Sequence, residues 1–364
     1  MPTENLSGLA QEGARILTIC NACRYCEGYC AVFPALERRA NFGAADLDYL
    51  ANLCHNCAEC YYACQYAPPH EFAVNVPKTL AEIRARSYQN YAWPAPLAAV
   101  FRRNGLVVSL VLVIALAVWI ASTKGATASS AQFYQVVSHR AMVAVFGVVS
   151  LFVLAALVVG CVRFWRKTGG GAVNLSAMKE ALKDGLRLTY LYGGGQGCTY
   201  PQERRSLARW WFHHLTFYGF LLCFGATSVA AIYHYGFGWR APYGYFSLPV
   251  ALGTLGGFGL LAGPAGLLWL KQRGDAATRD GEQDGMDVAF IALLFSTSAT
   301  GLLLLALRET PAMPLLLAVH LATVLALFVT LPYGKFVHAI YRLAALVRYA
   351  LERSQLKGRK LTGQ

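Results

Sequence analysis

The chain has 364 residues, of which 56% are hydrophobic and only 14% charged, and its 32 Lys and Arg outweigh 19 Asp and Glu for a net charge of +13. Soluble domains carry about 25% charged residues, so the composition excludes an ordinary soluble enzyme, and long apolar runs with 13% aromatic residues exclude a disordered chain. The basic excess reads as the charge of membrane-flanking loops, and no nucleic-acid partner is expected.

Eight of the 11 cysteines precede residue 65. Residues before Cys20 lack the basic flank and apolar core of an export signal, which predicts a head kept in the reducing cytoplasm. Cys20-x2-Cys23-x2-Cys26-x3-Cys30 is followed by Cys54-x2-Cys57-x2-Cys60-x3-Cys64. This is the bacterial ferredoxin run in two copies. In that run three cysteines serve one [4Fe–4S] cluster and the fourth serves the other. The expected ligand sets are therefore Cys20, Cys23, Cys26 and Cys64 for one cluster, and Cys30, Cys54, Cys57 and Cys60 for its neighbour. Pro34 and Pro68 stand four residues beyond each fourth cysteine, where a simple ferredoxin has proline directly after it. Zinc also uses C-x2-C pairs, but leaves a third and fourth cysteine in each run unexplained.

A helical stretch over 76–90 leads to Trp93-Pro94-Ala95-Pro96, a boundary suited to the membrane surface. The expected architecture is mainly α, with a dicluster ferredoxin-like domain over 1–96 and a transmembrane domain over 97–364. Six apolar segments, near 104–122, 138–162, 210–232, 246–270, 288–308 and 315–339, are each long enough to cross about 30 Å of hydrocarbon. Gly253-Thr254-Leu255-Gly256-Gly257 offers a small-residue face for close helix approach. With the head inside, cytoplasmic stretches hold 24 of the 32 Lys and Arg. The positive-inside rule then places both termini in the cytoplasm of a bacterial inner-membrane protein.

Within the loop 163–209, residues 175–191 repeat apolar positions at helical spacing around Lys179, Lys183 and Arg187, as an interfacial helix does. It leads to Gly193-Gly194-Gly195-Gln196-Gly197-Cys198-Thr199-Tyr200-Pro201. No strand precedes these glycines, so they form no dinucleotide fingerprint. Gly194, Gly195, Cys198 and Tyr200 are candidates for a quinone site or a partner surface, and a plain connector is the alternative. Cys161 and Cys223 read as packing residues.

Six histidines fall in or at the ends of predicted spans, where ionisable residues are rare and functional. Imidazole is also a common axial ligand of haem iron. His320 and His338 are 18 residues apart, five helical turns and about 27 Å on a continuous helix. That arrangement suits two stacked b haems. At the inner level the partner is His213 or its neighbour His214, with His213 favoured because it shares a face with His234. At the outer level His139 and His234 are both at the right depth. One or two haems are expected.

The double cysteine run, Trp211-Phe212-His213-His214-Leu215-Thr216-Phe217-Tyr218-Gly219-Phe220, the segment Cys64–Phe72 and the Gly193–Pro201 loop together resemble the tricarballylate utilization protein B (CitB-like) family. Pro332-Tyr333-Gly334-Lys335-Phe336-Val337-His338 is also similar to the haem helix of the nitrate reductase gamma subunit. That subunit has a second histidine 13 residues after the first, where this chain has Ala226 or Thr227. The resemblance implies a protein that reoxidises a soluble FAD-dependent dehydrogenase, that of tricarballylate, and delivers electrons through clusters and haem b to membrane quinone. It implies an oxidoreductase component with no nucleophile–base site of its own. Rival readings are a subunit of a heterodisulfide- or nitrate-reductase-like complex and a redox-sensing membrane regulator.

Overall fold

A computed structural model describes residues 8–122, 133–192 and 197–361. Its head comprises α1 (Gly8–Cys23), α2 (Val32–Leu36), α3 (Ala44–Leu53), α4 (Glu59–Tyr62) and α5 (Val76–Tyr91). The head was expected to be ferredoxin-like; its described residues are helical and contain no strand. In α5 the Asn75 side chain accepts from the Lys78 N–H and Pro77 occupies the first turn, both strong start signals. Leu80, Ile83, Tyr88 and Tyr91 then recur at helical spacing and bury against Ile16, Leu17, Leu47 and Leu50. Each such side chain contributes about 1.5–3 kcal/mol on burial.

The apolar part contains α6 (Ala95–Ser122), α8 (His139–Lys167), α10 (Ala208–Phe237), α11 (Leu248–Arg273), α12 (Asp284–Leu307) and α13 (Met313–Thr330), with the short α7 (Phe133–Val136) before α8. Five of these are long and apolar enough to cross a membrane. The expected first span is instead bent by 104° between Ala95–Arg102 and Gly105–Ile120, and makes a sixth only if that pair counts as one. Helices α10 and α11 pack almost backbone to backbone. A Cβ at Gly256 would lie 2.8 Å from Gly219 O, and one at Gly263 would lie 2.6 Å from Thr216 N. In lipid, small residues are what permit this approach. Cys223 packs against Gly256.

The expected last span, 315–339, is wrong at its C-terminal end. Helix α13 stops at Thr330, and a new helix, α14 (Val337–Leu361), begins after a turn. Pro332 has no N–H to donate back to Phe328 O, and its ring clashes with that turn. The Leu331 N–H takes the Phe328 carbonyl at 3.1 Å instead. His320 and His338 therefore lie on different helices, and their five-turn alignment does not exist.

Lys335 anchors this corner through Asp287 at 2.8 Å, and Asp287 also holds Lys271 at 2.8 Å. The new helix is amphipathic and folds back over the head. Val337, Tyr341, Ala345 and Val347 join the head core, and Glu352 pairs with Arg39 at 2.6 Å. Helix α9 (Leu175–Arg187), capped by Asn174, packs on α14 through Ala177 and Ala181. Leu175, Leu182 and Leu186 stay exposed, as an interfacial helix requires.

Candidate electron-transfer site

Both cysteine runs lie on short, sharply turned loops. Arg24, Asn56 and Ala58 adopt left-handed backbone angles of 55°, 52° and 63° within the C-x2-C turns. Non-glycine residues there cost about 1–3 kcal/mol each, and such strain persists where surrounding structure over-determines it.

Cys20, Cys23, Cys26 and Cys64, together with Cys60, line one cavity of about 220 Å³. Cys60 in turn lies within electrostatic reach of Cys57, Cys54 and Cys30. Burial pushes the Cys20 and Cys26 thiols up to about 12, and raises Cys30 and Cys60 well above the usual range. Unligated, these thiols hold their protons at neutral pH, and a metal must displace them to bind. Among the described residues no group of three or more His, Cys, Asp or Glu converges on a single-ion site. A cubane differs from such a site in taking one thiolate at each of four irons.

An independent test of fit lies behind Cys54. Arg84, buried at 6% exposure, donates to Cys54 O at 2.8 Å. Arg342 donates to the same carbonyl at 2.7 Å, and its Nε is buried without an acceptor. Arg209 donates to Asn56 O at 2.6 Å. No carboxylate pairs with these three guanidiniums among the described residues. Buried cations need a counter-charge, and a thiolate-ligated iron–sulfur cluster on the Cys54–Cys60 loop is anionic. The residues fit that group. Arg84, Arg209 and Arg342 were missed in the sequence, although Arg209 and Arg342 each stand one helical turn from His213 and His338, a spacing that could have revealed them.

Cys198 is buried. Gly197, at φ +85°, packs against Ser206, where a Cβ would meet Ser206 O at 2.2 Å. Cys198 and Ser206 form an isolated antiparallel bridge that carries the Cys198 thiol inward. There it donates to Leu191 O at 3.2 Å and lies beside the Cys57 thiol. The Tyr200 ring lies under the Arg209 guanidinium, 4.8 Å away. Gly194 and Gly195 lie outside the described residues.

His213 and His338 come together, with ring centroids 6.0 Å apart. His338 Nδ1 donates to Lys335 O at 2.6 Å, which leaves Nε2 free with its lone pair. His213 Nδ1 is buried without a partner. These two imidazoles fit axial ligation. His214 faces away, packed between Trp210 and Tyr218. His55, on the cluster loop, is buried close to His213 and to Arg342.

The outer pairing expected for His320 is not formed. His320 turns to α12, where its Nδ1 meets Thr300 Oγ1 at 3.1 Å. His139 and His234 instead stack on each other at 3.9 Å with planes 16° apart. Axial ligands aim their lone pairs at one metal along the ring planes, which face-to-face stacking prevents. A second haem does not fit this arrangement.

A family model described as citrate utilization protein B matches residues 92–358, and one described as the citrate utilization protein B Fer4-like domain matches residues 13–90. The chain is 49% identical over 359 residues to citrate utilization protein B of Escherichia coli, covering 97% of this chain and 95% of that protein. The chain belongs to the citrate utilization protein B family. No solved structure matches it. The Fer4-like segment of this family contains all eight cysteines of the double run, consistent with an iron–sulfur electron-transfer role. The part of the family pattern beyond residue 92 carries the apolar helices and the six histidines of the bundle.

Proposed function

We propose that this protein passes electrons from the reduced flavin of a soluble FAD-dependent dehydrogenase to membrane quinone. The name of its Escherichia coli relative points to citrate utilisation, and the resemblance noted above points to tricarballylate as the dehydrogenase's substrate. Two [4Fe–4S] clusters and one haem b, when bound, supply one-electron carriers at fixed positions.

Cys20, Cys23, Cys26 and Cys64 hold the first cluster, and Cys30, Cys54, Cys57 and Cys60 the second. His213 and His338 hold the haem. The observation that carries this reading is the loop Cys54–Asn56: three uncompensated arginines grip it, and two of them stand a turn from His213 and His338. The second cysteine set therefore faces the bundle. The first lies toward the exposed rim, where Tyr25 (68% exposed) and Phe72 (41%) offer a landing surface for the flavoprotein.

The side chains' task is to exclude water and tune potentials. Arg84 and Arg342 stabilise added negative charge at the second set, favouring its reduction. The Lys335 carbonyl holds His338 in the tautomer whose Nε2 can bind metal. The test is anaerobic purification in detergent, with iron, sulfide and haem measured together. About eight non-haem irons and eight labile sulfides per chain are expected, with one haem. Zinc in place of iron and sulfide, or no haem, would refute the corresponding part.

A further inference from the structure

A second cavity, of about 780 Å³, opens where α8 leaves the bundle and meets the head, away from the cysteines and paired histidines. Its polar wall is Arg86 from α5 and Arg163, Arg166 and Lys167 from the end of α8. One carboxylate, Asp48, shares the wall and accepts a hydrogen bond from the Tyr91 hydroxyl. Lys167 lies within its electrostatic reach. Arg163 donates to Ala92 O at 3.1 Å. Arg86, Arg166 and Lys167 form no ion pair among the described residues. Four cations thus face a single carboxylate over an apolar floor that includes Leu9, Leu47 and Ile83.

Below the cavity runs a continuous apolar stripe. Leu151, Leu154, Val158 and Val162 are 70%, 60%, 51% and 42% exposed on α8. Val158, Val162 and Arg166 follow one another at four-residue spacing, so the stripe ends at a basic cavity residue. From Leu151 to Val162 the helix rises about 16 Å, close to the depth of one leaflet, about 15 Å.

We propose that this cavity is a headgroup site for one anionic phospholipid, with its phosphate among Arg86, Arg166 and Lys167 and an acyl chain along Leu151–Val162. The charge decides the ligand. A neutral quinone or a zwitterionic lipid leaves the surplus cations uncompensated, whereas a phosphodiester accepts bidentate hydrogen bonds from arginine. Basic pockets beside membrane helices select acidic lipid for this reason. The stripe decides the source, because free phosphate makes no use of it. The inference does not rest on the electron route.

The test uses the whole protein purified in detergent. Phospholipid retained per chain is measured by mass spectrometry for the wild type and for R86Q/R166Q/K167Q, with visible iron–sulfur absorbance checking the head. Retention of about one phosphatidylglycerol per chain is expected, falling at least about tenfold in the variant. Delipidated wild type is then reloaded and its thermal midpoint followed, so that the outcome does not depend on how the variant folds. Phosphatidylglycerol raises the midpoint, while phosphatidylcholine, inorganic phosphate and ubiquinone do not. Equal retention in the variant, or an equal rise with any of the other three, overturns the proposal.

Discussion

His213, in the second turn of α10, and His338, at the start of α14, face each other with ring centroids 6.0 Å apart and ring planes at 78°. One comes from a helix long and apolar enough to cross a membrane and the other from a helix that folds back over the head. Each has a half-buried arginine one turn away, Arg209 and Arg342, bound to the Cys54–Asn56 loop. The histidine pair and the second cysteine set are thereby tied into one unit.

That relationship sets the first prediction. His213→Ala and His338→Ala should each abolish the b-type absorption of the dithionite-reduced protein, with the iron–sulfur content unchanged. His214→Ala should leave the band in place, because its ring packs on Trp210 and Tyr218 instead. A normal spectrum in both of the first two variants would exclude this pair as ligands.

Cys57 and Cys198 touch, yet they should behave differently. Cys57→Ser should cost the second cluster, seen as a loss of about half the labile sulfide. Cys198→Ala should keep all of it and shift only the midpoint potential of that cluster in an EPR-monitored titration, since the polar environment around a cluster ligand tunes its potential. Loss of iron in Cys198→Ala would make this residue a ligand.

Arg342→Met removes one of two guanidiniums at Cys54 O while keeping the bulk of the side chain. The remaining bond from Arg84 limits the stability loss to about 1 kcal/mol. The lost positive charge should lower the second cluster's potential by tens of millivolts; about 60 mV corresponds to about 1.4 kcal/mol for one electron. An unchanged potential would show that the charge is screened.

Asp287→Asn should destabilise the α13–α14 corner. It leaves Lys271 and Lys335, whose side chains are 17% and 23% exposed, without their shared carboxylate. Lys271 keeps Asp284 at 2.8 Å, so the cost falls on Lys335, and unpairing a largely buried charge costs about 3–5 kcal/mol. Because His338 follows Lys335 and bonds its carbonyl, thermal unfolding should shift downward together with a weakened or broadened haem band. A lower midpoint with an unaltered haem spectrum would separate the corner from the site.

Gly256→Leu should fail to assemble the bundle, because its Cβ alone would sit 2.8 Å from Gly219 O. Gly244→Ala, with nothing within 4 Å of its Cβ, is the control. Detergent-solubilised yield and size-exclusion profile report the difference.

The cysteine runs, helix α5, the amphipathic α9 and the apolar segments were all legible in the sequence, because each depends on residues within a few turns of one another. Ligand spacing, N-capping and hydropathy are local properties. The end of the last span was not, since Leu331, Phe336 and Val337 continue the apolar pattern while Pro332 and Gly334 break the hydrogen-bond ladder beneath it. Hydropathy measures transfer from water and is blind to a missing N–H. The choice of histidine partners depended on that same break: once α14 turns back, His338 meets His213, and His320 is left against Thr300. The inward placement of Cys198 and the arginine grip on Cys54 likewise join segments far apart in the chain. Only tertiary packing decides such meetings, because a buried charge or thiol takes its role from neighbours that no local pattern specifies.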